Sequence, residues 1–298
     1  MSKELFSPLV SIIIPVYNGE NTIDRAIQSA LQQSYVQIEV IVIDNGSSDG
    51  TVNLVKKLAL VDQRVHLAES KKGRSIARNR GLKLARGKYI NFLDADDCFE
   101  FQHIERCVSV LESDPSTFAI CEGTEIVFEH KDQQNIVSQK IENFNIEKNN
   151  CIEISSVLFR NTNIIPFLTS LEHNEDWLFW ILNLRDKKIK LDFNKIGEKK
   201  FVTGHNTMKD ITNMIGSHII VFAAGNIELP LYKQFKLMIL FFKSDYSKVN
   251  EMQQLVSMKY NKVFRLLDSL WKFAIFRFVF NLIVTPKINI LEKNSIYN

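Results

Sequence analysis

The first hundred residues alternate short apolar runs with segments of helical spacing, and this alternation constrains the fold more than any other feature. The apolar runs are rich in β-branched residues: VSIIIPV, EVIVID, RVHLA and YINFLDA. Between them lie segments with helical spacing: ENTIDRAIQSALQQS, SDGTVNLVKKLAL and GRSIARNRGLKLARG. Unbroken apolar strands that alternate with helices form a parallel sheet covered on both faces. The sequence therefore predicts an α/β fold.

The rest of the chain divides by pattern into two further stretches. Residues 115–210 mix strand-like runs, among them TFAICEGTEIVFEH, IKLDFN and KKFVTGH, with the helical spacing of EDWLFWILNLRDK. From 211 to 298 the apolar spacing is helical. The prediction is a Rossmann-like, mostly parallel sheet flanked by helices and followed by a helical C-terminal region.

Composition and charge exclude several classes of protein. The 298 residues are 45% hydrophobic and 24% charged, which is usual for a folded chain with an ample core. A net charge of only +3 argues against a nucleic-acid-binding protein. The four cysteines form no CxxC pair, so they predict neither a zinc ribbon nor a dithiol redox site. We expect them to be reduced thiols of a cytoplasmic protein.

The apolar run LVSIIIPV near the start is short enough to be mistaken for the core of a signal peptide. No small-residue cleavage site follows it, and the residues PVYN (15–18) indicate the end of a strand instead. No uninterrupted apolar stretch reaches the roughly 20 residues that a membrane-spanning helix needs. We therefore expect neither a cleaved signal peptide nor a spanning helix.

Polar residues follow three of the predicted parallel strands at the point where each strand ends. Residues 17–18 follow the first strand, 44–47 the second and 94–97 the fourth. Ligands of parallel sheets bind at the carboxyl ends of the strands. The sequence therefore predicts one binding site at this edge of the sheet.

The fourth strand ends in three acids, Asp94, Asp96 and Asp97. Carboxylates in this arrangement suit Mg²⁺ or Mn²⁺, which prefer oxygen ligands and complete their shells with phosphate and water. The alternative interpretation is a solvated acidic turn that caps a helix starting near Glu100. Because two other polar strand ends lie at the same edge, we favour a site for a metal ion and a phosphate.

The second strand ends in IVIDNGSSDGT, where Asp44 would accept hydrogen bonds from a base or a ribose, and Gly46 and Ser47 let the backbone turn closely. No G-x-G-x-x-G follows any predicted strand, which argues against a dinucleotide dehydrogenase. No G-x-x-x-x-G-K-[ST] occurs either, so a Walker-type phosphate loop is excluded.

Four motifs in order, PVYN, VIDNGSSDGT, GRSIARNRGLKLARGKYINFLDADD and NEDWLF, resemble the family 2 inverting glycosyltransferases of GT-A fold. The resemblance extends over roughly residues 9–210. It implies a nucleotide-sugar donor, usually a UDP-sugar, and a divalent metal, Mn²⁺ or Mg²⁺. It also implies a catalytic domain at 1–210, with a nucleotide-sugar-binding half (1–114) and an acceptor-binding half (115–210).

The resemblance carries individual roles over to matching positions. Asp44 would contact uracil, Arg78 the base or the diphosphate, and Asp94 the ribose. The metal would be bound by Asp96 and Asp94, with His205 as a further ligand. The full set of implied donor-binding residues is Pro15, Tyr17, Asn18, Asp44, Asn45, Gly46, Ser47, Arg78, Asp94, Ala95 and Asp96. Asn45 departs from the family, which commonly has a second Asp there, so the preferred nucleobase stays open.

Glu175 and Asp176 stand at the start of a predicted helix, with Trp177 directly after them. Acids in a first helical turn are also favoured by the helix dipole alone. In the family an E-D pair at this point carries the catalytic base. The resemblance therefore implies that Asp176 is the base and that Glu175 orients the acceptor. Trp177 would pack under a sugar or fill the core.

The C-terminal region is basic and apolar at once. From 231 to 298 eleven Lys and Arg residues face four acids, and aromatic residues interleave with them in LWKFAIFRFVFNLIV. Basic amphipathic helices of this kind lie on anionic membrane surfaces. The alternative is a helix packed on the catalytic domain or in a homodimer. We favour peripheral contact with the inner face of the cell membrane.

Together with these features, the resemblance implies a metal-dependent enzyme that transfers one sugar, with inversion, to a glycan or lipid-linked glycan of the bacterial surface, such as lipopolysaccharide or capsule. A sugar nucleotidyltransferase is one rival, but it would need a Gly-rich, Arg-containing loop after the first strand, and PVYNGEN is not one. A non-catalytic nucleotide-binding or interaction module of the same fold is the other. The intact Asp94, Asp96, Glu175 and Asp176 argue against it.

Overall fold

The computed structural model describes residues 7–128, 135–138, 144–202 and 211–272. Its strands are β1 (Val10–Val16), β2 (Ile38–Asp44), β3 (Val65–Glu69), β4 (Tyr89–Phe92), β5 (Cys98–Phe99), β6 (Thr117–Phe128), β7 (Asn135–Ser138), β8 (Val157–Arg160) and β9 (Lys188–Val202). Its helices are α1 (Ile23–Leu31), α2 (Thr51–Val61), α3 (Arg74–Leu84), α4 (His103–Ser113), α5 (Glu175–Leu184), α6 (Ile211–Ala224), α7 (Leu231–Lys243), α8 (Asn250–Lys259) and α9 (Asn261–Trp271).

These elements form two compact units. The first comprises the described residues up to Glu172 together with those from Phe179 to Val202. The second comprises His173–Leu178 together with residues 211–272. The start of α5 therefore groups with the C-terminal helices, and the rest of α5 groups with the sheet. The predicted domain division at residue 210 stays a prediction.

The described strands form one sheet in the order β3-β2-β1-β4-β8-β6-β9-β5, with β7 beside β6. Strands β1 to β4 are parallel, β8 is antiparallel to both β4 and β6, and β9 is parallel to β6. Within the described part of the chain only β5, β7 and β8 run against the other strands. The sheet is therefore mixed, and the prediction of a mostly parallel sheet flanked by helices is confirmed.

Every residue of β1 and β2 is buried, which is why their sequences are apolar without alternation. Helix α3 covers this part of the sheet closely, because Gly81 leaves no room for a side chain. A Cβ atom at Gly81 would lie 2.3 Å from Cγ2 of Ile13. The register places Val16 beside Asp44 and Ile13 beside Phe92, so the carboxyl ends of β1, β2 and β4 share one edge.

The long pair β6–β9 differs in one respect from its sequence pattern. The runs IKLDFN and KKFVTGH predict two strands, whereas residues 188–202 form the single strand β9. The register slips at Gly123, where Glu122 pairs with Asp192 but Gly123 pairs with Ile196. Residues 193–195 therefore form a bulge that begins within the run IKLDFN, and the strand continues beyond it.

The second unit is helical in its described part and packs through aromatic side chains. Phe242 on α7 lies 5.4 Å from the ring of Phe264 and 5.8 Å from the ring of Trp271, both on α9. Trp271, an aromatic residue of the predicted membrane-binding segment, is thus packed on a neighbouring helix. None of the described helices combines the length and the apolar character needed to cross a bilayer.

Candidate donor and acid sites

The loops that follow β1 and β2 are joined by hydrogen bonds between their polar residues. The backbone N–H of Asn18 donates to Oγ of Ser47 at 2.9 Å, and Oδ1 of Asn18 accepts from the N–H of Ser48 at 2.8 Å. Asn18 has a φ of 50° and Gly46 a φ of 86°, so both loops use the left-handed region. Pro15 lies within β1 opposite Ile43 and supports this edge from inside the sheet.

Asp44 and Asn45 are buried side by side at the end of β2. The Asp44 carboxylate accepts from the N–H groups of Gly46 and Ser47 at 3.2 Å, which fixes its orientation. Oδ1 of Asn45 accepts from the N–H of Gly73 at 2.7 Å, and Gly73, with a φ of 138°, precedes α3. Asn45 therefore ties the end of β2 to the start of α3.

Tyr17 supplies an exposed aromatic ring beside these carboxylate and amide groups. It is 46% exposed, and Nζ of Lys72 lies 4.6 Å from its ring centroid and 3.4 Å from its hydroxyl oxygen. An aromatic face next to Asp44 can stack on a planar base, and the lysine adds positive charge for an anionic ligand.

Arg78 on α3 reaches the end of β4, where it forms an ion pair with Asp94. Nη2 of Arg78 lies 2.9 Å from Oδ1 of Asp94, and only 2% of the Arg78 side chain is exposed. The backbone N–H of Asp94 donates to Oγ of Ser155 at 3.1 Å. Burial opposes ionisation of Asp94, but the guanidinium groups of Arg78 and Arg74 outweigh it and lower the pKa of this carboxyl. Asp94 is thus ionised, and its side chain is held in one orientation.

Asp96 and Asp97 lie in the opposite environment. Burial raises the pKa of Asp96, and the neighbouring Asp94 carboxylate raises it further. Burial and the Glu198 carboxylate raise the pKa of Asp97 well above its usual value. Oδ1 of Asp97 accepts from the N–H of Phe201 at 3.0 Å. These carboxyls would be stabilised as anions by an added positive charge.

The donor set of this turn fits a hard divalent cation. Carboxylate oxygens are the ligands that Mg²⁺ and Mn²⁺ prefer. Asp96 is partly exposed at the turn, and within the described residues Oε2 of the buried Glu198 has no hydrogen-bond partner. The alternative interpretation as a helix cap does not hold. Helix α4 begins at His103, and β5 lies between that helix and the acids.

Two residues that hold this turn were not predicted from the sequence. Nη2 of Arg25 on α1 donates to the carbonyl oxygen of Asp96 at 2.7 Å, and its guanidinium lies 3.6 Å from the ring centroid of Phe201. Ser155, described above, is the second. Ala95, between the two motif acids, packs against the core. Neither Arg25 nor Ser155 belongs to a motif, so only the folded chain reveals them.

A separate group, His103, Cys107 and Glu122, has ligand atoms within 4.8 Å of one another in the described chain. It is fully occupied by protein contacts. Arg106 makes two hydrogen bonds to the Glu122 carboxylate at 2.6–2.7 Å, and the ring nitrogens of His103 lie 2.8 Å from Glu122 and 3.1 Å from Oδ1 of Asn91. Arg106 engages both oxygens of the Glu122 carboxylate, so neither is left for a cation, and this group is a structural network.

Glu175 and Asp176 belong to the second unit. Oδ1 of Asp176 accepts from the N–H of Trp177 at 2.7 Å, and Glu175 is buried. Trp177 is only 2% exposed and meets Phe222 edge to face at 5.2 Å between ring centroids, so it fills the core. His205, the further metal ligand implied by the resemblance, lies outside the described residues.

The chain is similar in sequence to known glycosyltransferases. The profile of glycosyl transferase family 2 matches residues 11–166. The Escherichia coli protein WfgD, a UDP-Glc:α-D-GlcNAc-diphosphoundecaprenol β-1,3-glucosyltransferase, is 36% identical over 184 residues, which cover 61% of this chain and 72% of WfgD.

Two solved structures share the fold. TarS 1–349 of S. aureus in complex with UDP-GlcNAc has a TM-score of 0.56 at 18% identity, covering 85% of this chain and 83% of that chain. The mannosyltransferase PcManGT of Pyrobaculum calidifontis, in complex with GDP-Man and Mn²⁺, has a TM-score of 0.57 at 16% identity, with coverages of 92% and 83%. The fold is GT-A. The chain belongs to glycosyl transferase family 2 and is a glycosyltransferase.

Proposed function

We propose that this glycosyltransferase moves a sugar from a UDP-sugar to a hydroxyl of a bacterial surface glycan, with inversion and with Mn²⁺ or Mg²⁺ as cofactor. The observation that carries the proposal is the turn 94–97. It combines a carboxylate fixed by Arg78 with the carboxyls of Asp96 and Asp97, which burial keeps from ionising easily. A bound cation would stabilise the ionised carboxylates of this turn, and a diphosphate would complete the shell of ligands around the cation.

The donor nucleotide would bind at the edge formed by β1, β2 and β4. Asp44 would accept from the uracil, Tyr17 would stack on the base, and Asp94 would meet the ribose. Asn45 already accepts from the N–H of Gly73, so its Nδ2 group is left as the side-chain donor for a ligand. Uracil carries a carbonyl oxygen on each side of its N3–H. The Asp44 carboxylate can accept from N3–H, and the neutral Nδ2 group of Asn45 can donate to a neighbouring carbonyl oxygen.

The metal ion would be held by Asp96 with Asp94, and His205 is the proposed additional ligand. A bound divalent ion neutralises the charge that accumulates on a departing diphosphate. Arg78 would keep Asp94 ionised through the positive charge of its guanidinium. Asp176 would accept the proton of the acceptor hydroxyl as that oxygen attacks the sugar carbon, and Glu175 would orient the acceptor. A positioned base contributes about 10²–10⁴-fold to such a step.

The first substrates to test follow from WfgD. Its name gives UDP-glucose as the donor and a GlcNAc-diphospholipid as the acceptor. At 36% identity a relative supports the class of substrate and the starting point of a screen. We propose UDP-glucose and α-GlcNAc-diphosphoundecaprenol for this chain.

A lipid-linked acceptor would place the enzyme at a membrane surface, and we propose that the C-terminal helices contact anionic lipid there, at the inner face of the cell membrane. Helix α9 exposes Lys262, Arg265 and Leu266 on one side, while Val263 and Leu267 on the other side are buried. Burial of the same exposed face in a homodimer is the competing use of these helices.

The metal-dependent affinity for UDP tests the proposed site directly. Wild-type protein is expected to bind UDP about 10-fold or more tightly in Mn²⁺ than in EDTA, because a cation held by the carboxylates of the turn would attract the diphosphate. Asp96→Ala should abolish this difference while the unfolding temperature stays near that of wild type. The exposed Asp24→Ala on α1 is the control and should keep the difference. An Asp96→Ala protein that still responds to Mn²⁺ would place the metal elsewhere.

A further inference from the structure

His173, two residues before the acid pair, is anchored to the C-terminal helical region. The backbone N–H of His173 donates to the hydroxyl of Tyr246 at 3.0 Å, and Nδ1 of the same His173 lies 2.9 Å from that hydroxyl. Tyr246 is 6% exposed and lies in the short 3-10 helix Asp245–Lys248. Asn213 on α6 fixes this 3-10 helix through two hydrogen bonds to Asp245, at 2.7 and 3.2 Å.

Asn174, which directly precedes Glu175, is anchored to α6. Its φ is 57°, a left-handed conformation that Asn tolerates better than most residues. Nδ2 of Asn174 donates to Oγ of Ser217 at 2.7 Å and to the carbonyl oxygen of Met214 at 3.0 Å. Ser217 is fully buried and donates to the same carbonyl at 2.7 Å. The three groups close a ring of hydrogen bonds that fixes where α5 begins.

The residue after the pair packs on the same helix. The ring of Trp177 meets His218 at 5.3 Å and Phe222 at 5.2 Å, both edge to face and both on α6. The acids are therefore held on both sides, by hydrogen bonds before them and by ring contacts after them. These contacts all lie within the second unit.

We propose that helix α6 and the 3-10 helix Asp245–Lys248 form a mount that positions the catalytic carboxylates, and that Asn174 and Tyr246 are its positioning residues. The inference rests on the proposed role of Asp176 as base. A base must lie within hydrogen-bond reach of the proton that it takes, and a displacement of about 1 Å lowers turnover by about 10²-fold. The C-terminal region is then part of the catalytic apparatus in addition to any contact with lipid.

The chain offers matched controls for both residues. Asn174→Gly keeps the left-handed backbone accessible and removes the side chain with its amide, and Asn226→Gly makes the same change at a φ of 54° in the second unit. Tyr246→Phe removes one hydroxyl. Tyr260→Phe also removes a buried hydroxyl, one that donates to the carbonyl oxygen of Ile227 at 2.6 Å.

The assay measures kcat, the KM for UDP-glucose and the Kd of UDP, with α-GlcNAc-diphosphoundecaprenol as acceptor. Asn174→Gly and Tyr246→Phe are expected to lower kcat by about 10-fold or more, with KM and Kd within about 2-fold of wild type. Asn226→Gly and Tyr260→Phe are expected to keep kcat within about 2-fold, even where their loss of unfolding temperature is equal. Equal kcat values in the mount variants and their controls would overturn the proposal.

Two further measurements separate this inference from the proposed function. If Asp176→Asn turns over like wild type, the base is assigned wrongly and the mount proposal falls with it. If wild type shows no turnover on this substrate pair, the proposed substrates are wrong, and hydrogen exchange of a peptide covering 173–178 decides about the mount. Faster exchange in Asn174→Gly and Tyr246→Phe than in their controls supports it, and unchanged exchange overturns it.

Discussion

At the scale of single residues, Glu198 is a buried carboxyl beside the acidic turn whose ionisation is unfavourable. It lies on β9, is 1% exposed, and its Oε1 accepts from the hydroxyl of Thr124 at 2.8 Å. Burial, with a contribution from the Glu153 charge, raises the pKa of Glu198 to about 8 from an ordinary value of 4.5. The folded protein therefore keeps a proton on Glu198 over a pH range in which the unfolded chain has lost it.

This difference predicts the pH dependence of stability. Between about pH 4.5 and 8 Glu198 holds a proton in the native state that it has lost in the unfolded state, so its contribution to the free energy of unfolding falls as pH rises. Glu198→Gln, which stays neutral, should show a shallower fall in urea titrations from pH 5 to 8 in the presence of EDTA. Glu125→Gln on the adjacent strand is the control and should keep the wild-type slope. Parallel curves for wild type and Glu198→Gln would contradict the assignment.

Arg25 leads to a second prediction at this scale. Because it holds the Asp96 carbonyl from α1 and stacks on Phe201, Arg25→Met should weaken UDP binding in Mn²⁺ by about 10-fold while binding in EDTA changes little. Arg64→Met is a matched control, since Arg64 also reaches a backbone carbonyl, that of Leu31, at 3.3 Å. An equal loss of affinity with and without Mn²⁺ would show that Arg25 serves the fold and not the turn.

At the scale of elements, the sequence was most informative where a single physical rule decides the pattern. Full burial dictated the apolar runs of β1, β2 and β4, and the carboxyl ends of parallel strands dictated where the polar residues meet. The predicted edge brings Asn18, Asp44 and Asp94 together because these strands are parallel and in register. Periodicity could not reveal β9 as one strand, because a bulge at 193–195 interrupts its pattern.

Contacts between distant elements were beyond the sequence for a different reason. Arg25, Ser155 and Glu198 reach the acidic turn from α1, from the residues before β8 and from β9. Their types are common in any helix or strand, so nothing local distinguishes them. The sequence left two roles open for Trp177, contact with a sugar or filling of the core. Its packing against α6 shows that it fills the core.

The contact between α3 and β1 gives a prediction about packing. A Cβ atom at Gly81 would lie 2.3 Å from Cγ2 of Ile13, a buried side chain that cannot move away easily. Gly81→Ala should therefore lower the free energy of unfolding by about 1–3 kcal/mol through overpacking. At Gly50 the added Cβ would meet only the flexible carboxylate end of Glu20, at 2.7 Å, so Gly50→Ala should cost less. Thermal or urea unfolding measures both, and a neutral Gly81→Ala would show that α3 can shift outward.

At the scale of the whole molecule, the C-terminal helices predict an electrostatic interaction with lipid. The full chain should sediment with anionic vesicles at low salt and less at high salt. Each basic residue near such a surface contributes about 1 kcal/mol, so Lys262→Glu with Arg265→Glu should weaken binding by 10-fold or more, on the order of 2 kcal/mol. Lys56→Glu with Lys57→Glu on α2 makes the same change in net charge and is the control.

The outcomes distinguish the two uses of this surface. Equal losses in both double variants would mean that net charge alone drives adsorption. The alternative result is that the wild-type chain does not bind anionic vesicles and is a dimer by light scattering. If the double variant Lys262→Glu with Arg265→Glu is then a monomer, the exposed face of α9 is an interface between copies of the chain.

The bonds that hold the acidic turn also set the order in which the nascent protein becomes competent. Strands β3, β2, β1 and β4 are complete once residue 92 has left the ribosome. Asp94, however, is held by Ser155, 61 residues later, and Asp97 by Phe201, 104 residues later. Domains fold from the N-terminus during synthesis at about 5–20 residues per second. The partners that fix the acidic turn therefore emerge seconds after the four parallel strands, so this turn is one of the last parts of the sheet edge to take its final form.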